Sequence, residues 1–316
     1  MTLKILLIGK NGQIGRELNR LLPRIGDVIA LDRQQLDLSK PEDLRRSIRA
    51  ARPGLIVNAA AYTAVDQAET DEAAARAINS DAPEVMALEA KAIGAALVHY
   101  STDYVFDGSQ TRPYCETDAT NPINVYGRTK LAGEQAIQQA GVPHLIFRTA
   151  WVYAREGKNF LLTVLRLATQ REELRIVRDQ IGAPTCSREI AAATTDVLSQ
   201  VYGGQPKSAS LADVSGIYHM TAAGQTNWYE FAKTILEECS ISNESSWVAA
   251  ATARRPLIVR HVTPIATEQY PTPACRPLYS LLSNARLAAT FNTRLPDWKT
   301  QLHSVFSIDH SEMPAV

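Results

Sequence analysis

The first half of this chain alternates short apolar runs with longer stretches of helical periodicity, and that alternation leaves few folds open. Lys4 to Ile8, Val28 to Leu31, Leu55 to Val57, Ala96 to Tyr100 and His144 to Phe147 read as strands. Gln13 to Leu22, Pro41 to Ala51, Asp81 to Ala92 and Val125 to Gln139 read as the helices between them. The strands are rich in Val, Ile and Leu without strict alternation, as expected where helices cover both faces of a sheet. Strand and helix in turn predict an α/β fold with a doubly wound parallel sheet. Local signals bound the elements: Ser39 is placed to cap the helix opening at Pro41, and Gly141-Val142-Pro143 ends the helix before it.

The second half changes character. Helices are expected over Asn159 to Gln170, Arg188 to Val201 and Trp228 to Glu238, and strands over Leu174 to Val177 and Ile217 to Met220. Gly203 to Ser210 is a polar loop, and the proline-rich segment from Pro264 to Pro277 reads as an irregular one. This predicts a dinucleotide-binding domain over residues 1–153, to which segments near 174–220 return. A smaller, mainly substrate-binding region then spans residues 154–310.

Bulk properties exclude several classes. Lys plus Arg and Asp plus Glu stand at 33 each, so no global field recruits nucleic acid or an anionic membrane. No stretch approaches the roughly 20 apolar residues of a membrane helix, and the first apolar run is too short for a secretory signal. Cys115, Cys186, Cys239 and Cys275 are scattered, which speaks against a zinc site or a disulfide framework and for a cytoplasmic location.

Gly9-Lys10-Asn11-Gly12-Gln13-Ile14-Gly15 follows the first strand and opens the first helix. Glycines at this spacing let the backbone turn tightly and approach a pyrophosphate, which the helix N-terminus favours electrostatically. Asp32 ends the second strand, where a carboxylate holds ribose hydroxyls. Asp32 favours NADH, whereas Arg33 beside it suits the 2′-phosphate of NADPH, so either cofactor is compatible. Asp37 and Leu38 follow at a position suited to the adenine, although Asp37 equally fits a turn before Ser39. The reading is therefore a Rossmann-like nucleotide fold.

Tyr126 and Lys130 lie four residues apart, on one helix face. Carbonyl reduction needs a proton as well as a hydride. A tyrosine whose pKa is drawn down from ~10 by a neighbouring ammonium is a suitable acid. Ser101-Thr102-Asp103 ends the fourth strand, at the edge where open α/β sheets bind ligands. One of Ser101 and Thr102 can face the site and hold the developing alkoxide.

With GKNGQIG at 9–15, VNAAAYTAVDQAE at 57–69, STDYVFDG at 101–108 and NVYGRTKLAGE at 124–134, the chain resembles the dTDP-4-dehydrorhamnose reductases of the extended short-chain dehydrogenase superfamily. FRTAWVY at 147–153, DQIGAPT at 179–185, GIYHMTAAGQTNWYEFA at 216–232 and YPTPACRPLYSLL at 270–282 extend the match. The resemblance implies NAD(P)H-dependent reduction of the C4 keto group of dTDP-6-deoxy-L-lyxo-4-hexulose. It implies Thr102, Tyr126 and Lys130 as a catalytic triad, and Gly12, Gln13 and Ile14 at the pyrophosphate. Asp32, Asp37 and Leu38 would surround the adenosine, Ala61, Tyr62 and Thr63 the cofactor crevice. Asp103 and Trp151 would contact the sugar nucleotide. Tyr62 stands where the family often has His. Mg²⁺ and a homodimer are implied by the resemblance alone, with no ligand cluster legible. Arg276, in the proline-rich loop, suits a nucleotide diphosphate by its bidentate fork, or else fixes the loop itself. A competing class is a non-catalytic cofactor-binding subunit on the same fold, like the regulatory β subunit of methionine adenosyltransferase. Another is a sugar-nucleotide epimerase or dehydratase.

Overall fold

The computed structural model describes residues 2–203, 210–242 and 245–307. The chain starts with β1 (Leu3–Ile8), α1 (Gln13–Leu21), β2 (Gly26–Leu31), α2 (Pro41–Ala51) and β3 (Leu55–Asn58). Then come α3 (Val65–Ala68), α4 (Glu72–Arg76), a π-helical turn (Ala77–Asp81) and α5 (Ala82–Ile93). β4 (Ala96–Thr102), α6 (Val125–Ala140), β5 (His144–Thr149), β6 (Val152–Tyr153) and α7 (Phe160–Ala168) follow. Next are β7 (Glu173–Val177), β8 (Ile181–Gly182), β9 (Thr185–Cys186), α8 (Ser187–Tyr202) and β10 (Gly216–His219). The described chain closes with β11 (Thr226–Asn227), α9 (Trp228–Ile241), α10 (Ser246–Ala251), β12 (His261–Ile265), α11 (Ala285–Phe291) and α12 (Trp298–Ser307).

Six strands form a parallel sheet in the order β10-β5-β4-β3-β1-β2. Alternation along β1 explains why both faces are apolar. Leu6 and Ile8 enter one layer with Leu44 and Ile48 of α2, Met86 of α5 and Ile137 of α6. Ile5 and Leu7 enter the other with Leu18 of α1, Ile190 and Val197 of α8 and Phe291 of α11. Each such side chain stabilises the fold by roughly 1.5–3 kcal/mol relative to exposure. The chain leaves β1 toward β2 on one side and returns to β3 on the other. The strand order therefore reverses between β1 and β3, and a crevice opens at their carboxyl ends.

A separate apolar cluster joins Leu161 and Leu165 of α7, Phe231 and Ile235 of α9, and Trp298 and Leu302 of α12. Ile217 to Met220 enters the large sheet as expected, through β10. Leu174 to Val177 does not: β7 pairs in parallel with β12, where Pro264, lacking an N–H, is tolerated in a two-stranded ribbon. The segment from Pro264 to Pro277 is accordingly not irregular throughout, since it begins in β12 and continues in a 3₁₀ turn over Thr267–Gln269. Lys40 rather than Ser39 occupies the N-cap of α2, because Ser39 is held by Asp37. Most of the expected polar loop over 203–210 lies outside the described residues.

Candidate active site

The glycine turn forms the floor of the crevice. Gly9 has φ +91°, and a Cβ there would lie 2.8 Å from the Ala60 backbone nitrogen at the end of β3. At Gly15 a Cβ would meet the Gly9 carbonyl at 2.0 Å, so side chains at either position would push α1 off the turn. Gly12 caps α1 without a side-chain acceptor, and the first turn carries no acidic residue. The N–H groups of Gln13 and Ile14 thus face the crevice end of a helix dipole, a donor set that fits a pyrophosphate. The Gln13 side chain is itself held, accepting a hydrogen bond from Asn159 at 2.8 Å.

Asp32 sits at the end of β2 and is not a free carboxylate. Its Oδ1 accepts the backbone N–H groups of Gln34 and Gln35, and its Oδ2 faces Asn11 at 3.1 Å and Lys10 at 3.5 Å. Burial raises its pKa, but these hydrogen bonds and the Lys10 charge outweigh it and hold the carboxyl below its ordinary value. Arg33 is exposed beside it. The crevice edge thus carries an acceptor and two cations. Asp37 is engaged with Ser39 through both backbone and hydroxyl, the turn role that competed with an adenine contact. Leu38 is buried in the apolar layer under α2.

Ala61, Tyr62 and Thr63 follow the carboxyl end of β3. Asn79, in the π-helical turn, clamps Tyr62 by accepting its N–H at 2.9 Å and donating to its carbonyl at 3.1 Å. It also donates to Thr129 of α6, which joins the segment after β3 to the helix carrying Tyr126. Sequence reading missed α3, α4 and this turn. Their Ala-rich run lacks a sharp apolar stripe, and π turns recur at functional sites.

α6 starts on a built N-terminus. Asn124 caps it by accepting the Gly127 N–H at 2.8 Å, and Glu69 accepts the Val125 N–H at 2.8 Å. This directs Tyr126 toward the end of β4, with its ring edge-on to Tyr104. Thr102 is buried, donates to Asp103 at 3.0 Å and accepts the Tyr104 N–H. Burial pushes the Tyr126 phenol up to about 12, opposed by a hydrogen bond with Thr102 and reinforced by the Asp103 charge. In the protein alone the tyrosine is therefore a weaker acid than a free phenol, opposite to the expected direction. Lys130 is 1% exposed, and its Nζ donates to the Tyr100 carbonyl at 2.6 Å and meets His99 Nε2 at 3.1 Å, so its bonds go to β4. Desolvation lowers the Lys130 pKa to about 8.

The remaining expected residues are already partnered. Trp151 adopts φ +47° and stacks on Trp228 at 3.5 Å, with its indole against Gly182. Such backbone in a non-glycine residue is strained and marks a position where geometry is imposed from outside. Arg276 makes a bidentate pair with Asp66 of α3 and bonds the Ala274 carbonyl, tying the proline-rich loop to α3. Among the described residues no group of three or more His, Cys, Asp or Glu is placed to hold a metal ion. No helix among them is long and apolar enough to cross a membrane.

This arrangement has close counterparts. The family model described as "RmlD substrate binding domain" matches residues 3–310. The chain is 50% identical over 297 residues to a dTDP-4-dehydrorhamnose reductase of Burkholderia thailandensis, covering 94% of this chain and 96% of the relative. It is 44% identical over 313 residues to one from Escherichia coli, covering 96% and 99%. Among solved structures, a dTDP-4-dehydrorhamnose reductase of Bacillus anthracis in complex with NADP superposes with a TM-score of 0.83 at 33% identity, covering 97% of this chain and 99% of the other. A nucleotide turn, a tyrosine-bearing α6 and full-length similarity converge: the chain belongs to the dTDP-4-dehydrorhamnose reductase family of oxidoreductases.

Proposed function

We propose that this chain reduces the C4 keto group of dTDP-6-deoxy-L-lyxo-4-hexulose to give dTDP-L-rhamnose, with Thr102, Tyr126 and Lys130 as its catalytic residues. The observation carrying this reading is that α6 sets Tyr126 at the carboxyl end of β4, its ring edge-on to Tyr104 and its phenol within reach of the buried Thr102. The relatives named above, similar over nearly their full length, support the substrate class.

A reduced nicotinamide dinucleotide, whose pyrophosphate the turn from Gly9 to Gly15 would hold, would supply the hydride. The protein's own contribution is the proton and its placement. The Thr102 hydroxyl, turning from Asp103 to the keto oxygen, donates to it and stabilises charge developing there. Tyr126 gives its phenolic proton to that oxygen, and Lys130, with the charge left after hydride loss, favours the tyrosinate. Asp103 and Trp151 border the sugar, and Arg276 holds the loop that covers the nucleotide. The NADP complex of the Bacillus anthracis relative supports a nicotinamide dinucleotide as cofactor. Lys10 and Arg33 suit the 2′-phosphate of NADPH and Asp32 the ribose hydroxyls of NADH, so both are taken as reductants.

Purified protein supplied with the 4-keto sugar nucleotide is expected to oxidise one NADPH or NADH per rhamnose nucleotide formed. Tyr126→Phe is expected to bind cofactor normally and to lose ~10²-fold or more in turnover. Absence of cofactor oxidation by the parent protein would point to a non-catalytic binding subunit. Conversion without net cofactor consumption would point to an epimerase. Near-parental turnover in Tyr126→Phe removes that residue from the mechanism.

A further inference from the structure

Behind Lys130 lies a buried chain of groups that the proposed mechanism does not use. His99, on β4, and Asn58, at the end of β3, are each 1% exposed and paired across the two strands. Asn58 Nδ2 lies 3.0 Å from His99 Nδ1, and His99 Nε2 lies 3.1 Å from Lys130 Nζ. The Asn58 amide has one permitted orientation, because its Oδ1 accepts the Ala60 N–H at 3.1 Å. Turning it would set two N–H groups against each other and leave the carbonyl facing the ring. Its NH₂ group therefore points at His99 Nδ1, which must accept. A neutral imidazole carries one proton, and with Nδ1 accepting, that proton sits on Nε2. Nε2–H then points at Lys130 Nζ, which must offer a lone pair and so be an amine. An ammonium at Nζ would require the other tautomer, with Nδ1–H directed against the Asn58 NH₂.

We propose that Asn58 and His99 are positioning residues for Lys130, the Asn58 amide fixing the His99 tautomer and His99 Nε2–H setting whether Nζ carries two protons or three. This rests on the reading of Lys130 as the partner of Tyr126. In the relaxed protein this bonding favours the amine, and formation of tyrosinate nearby raises the affinity of Nζ for a third proton, which is taken up from solvent. Burial acts in the same direction, lowering the Lys130 pKa and keeping His99 well below its ordinary value.

The other ionisable groups around this chain are accounted for. On α6, Glu134 raises the Lys130 pKa, but it is itself paired with Arg148 of β5 at 2.6 Å. Tyr126 lies one turn before Lys130 on the same helix, and the Tyr100 hydroxyl of β4 is bonded to Thr194 of α8. On α5, Glu89 is paired with Arg45 and Arg49 of α2, and Lys91 donates to the Ala140 carbonyl. With the Tyr100 carbonyl, Asn58 and His99 thus stand as the groups through which the sheet addresses Nζ.

The test combines a spectrum with a pH profile. In ¹⁵N-histidine-labelled full-length protein, the His99 signal, identified by its loss in His99→Gln, is expected to show Nε2 protonated and Nδ1 bare. Asn58→Asp keeps an acceptor for the Ala60 N–H and places a carboxylate at Nδ1, which should reverse the tautomer and favour the ammonium. The basic limb of the pH profile of kcat/KM, measured with NADPH and the 4-keto sugar nucleotide, is then expected to move up by about one pH unit or more. An Nδ1–H tautomer in the parent protein overturns the proposal, as does an unmoved limb in a folded Asn58→Asp protein. If that variant does not fold, the parent tautomer decides alone. Full turnover in Tyr126→Phe would instead remove the mechanism on which the proposal rests, while the tautomer measurement keeps its meaning.

Discussion

Asp103 shows how a single side chain can work against stability for the sake of a site. It is 2% exposed, and burial raises its carboxyl pKa from 3.8 to about 6 despite hydrogen bonds from Ser280 and Thr102. A folded-state pKa above the unfolded value means that the neutral acid suits the fold. The favourable contribution is fully present below pH 3.8 and is lost as the pH rises through 6. Asp103→Asn is neutral at every pH and keeps an acceptor for the Thr102 hydroxyl. It is expected to exceed the parent protein in stability at pH 7 by about 1–3 kcal/mol, and the gap should close below pH 4. Urea denaturation at the two pH values checks this, and a variant no more stable than the parent at pH 7 would mean that the carboxylate is better solvated than its burial implies. Asp32 behaves in the opposite way, since the turn around it supplies donors that favour its charge. The two aspartates look alike in the sequence. Their surroundings separate them.

Among the elements, α6 has the most demanding placement, because it must hold Tyr126 at the crevice and Lys130 against β4 simultaneously. Its N-terminus is the joint: Asn124 caps the helix through Oδ1 and donates through Nδ2 to the Cys275 carbonyl at 2.8 Å in the proline-rich loop. Asn124→Ala removes both bonds. It is expected to cost about 1–2 kcal/mol of stability by denaturant titration, and to raise KM for the sugar nucleotide more than it lowers kcat. A loss confined to kcat would show that the loop does not depend on this cap. The C-terminus of α6 needed no tertiary help to be read. Gly141 takes φ +68° and closes the helix as its position before Val142-Pro143 implies. By contrast, α3, α4 and the π turn are set by what they pack against, since Asn79 is held there by Tyr62 and Thr129.

At the scale of the molecule, a buried ion pair joins α6 to the sheet. Glu134 is fully buried and Arg148 is 2% exposed. They meet through two nitrogens at 2.6 and 2.9 Å, with the guanidinium also over the Phe106 ring. Both charges are desolvated, so the pair itself contributes little net stability, but removing one partner strands the other. Glu134→Ala is expected to lose about 3–5 kcal/mol in equilibrium unfolding. A change under 1 kcal/mol would mean that water reaches Arg148 in the variant. Arg276, by contrast, fastens the proline-rich segment to α3 through a partly exposed ion pair with Asp66, 210 positions away.

What the sequence determined by itself is whatever rests on contiguous residues. The strand–helix alternation, the glycine turn, the four-residue step from Tyr126 to Lys130 and the stop at Gly141 follow from steric limits and from helical and strand periods. Those limits act over a few residues wherever the chain goes. Even there, local signals had bounds, for Leu174 to Val177 reads as a strand but cannot announce β12 as its partner. Only the tertiary structure decided where the hydrogen bonds and charges of the site are directed. Lys130 turns to His99 and Tyr100, Asp37 to Ser39, Trp151 to Trp228 and Arg276 to Asp66. Asn58, His99 and Lys130 lie 41 and 31 positions apart and carry no shared motif. They become one chain of groups because β3, β4 and α6 are packed together, and burial then makes the position of every proton among them consequential.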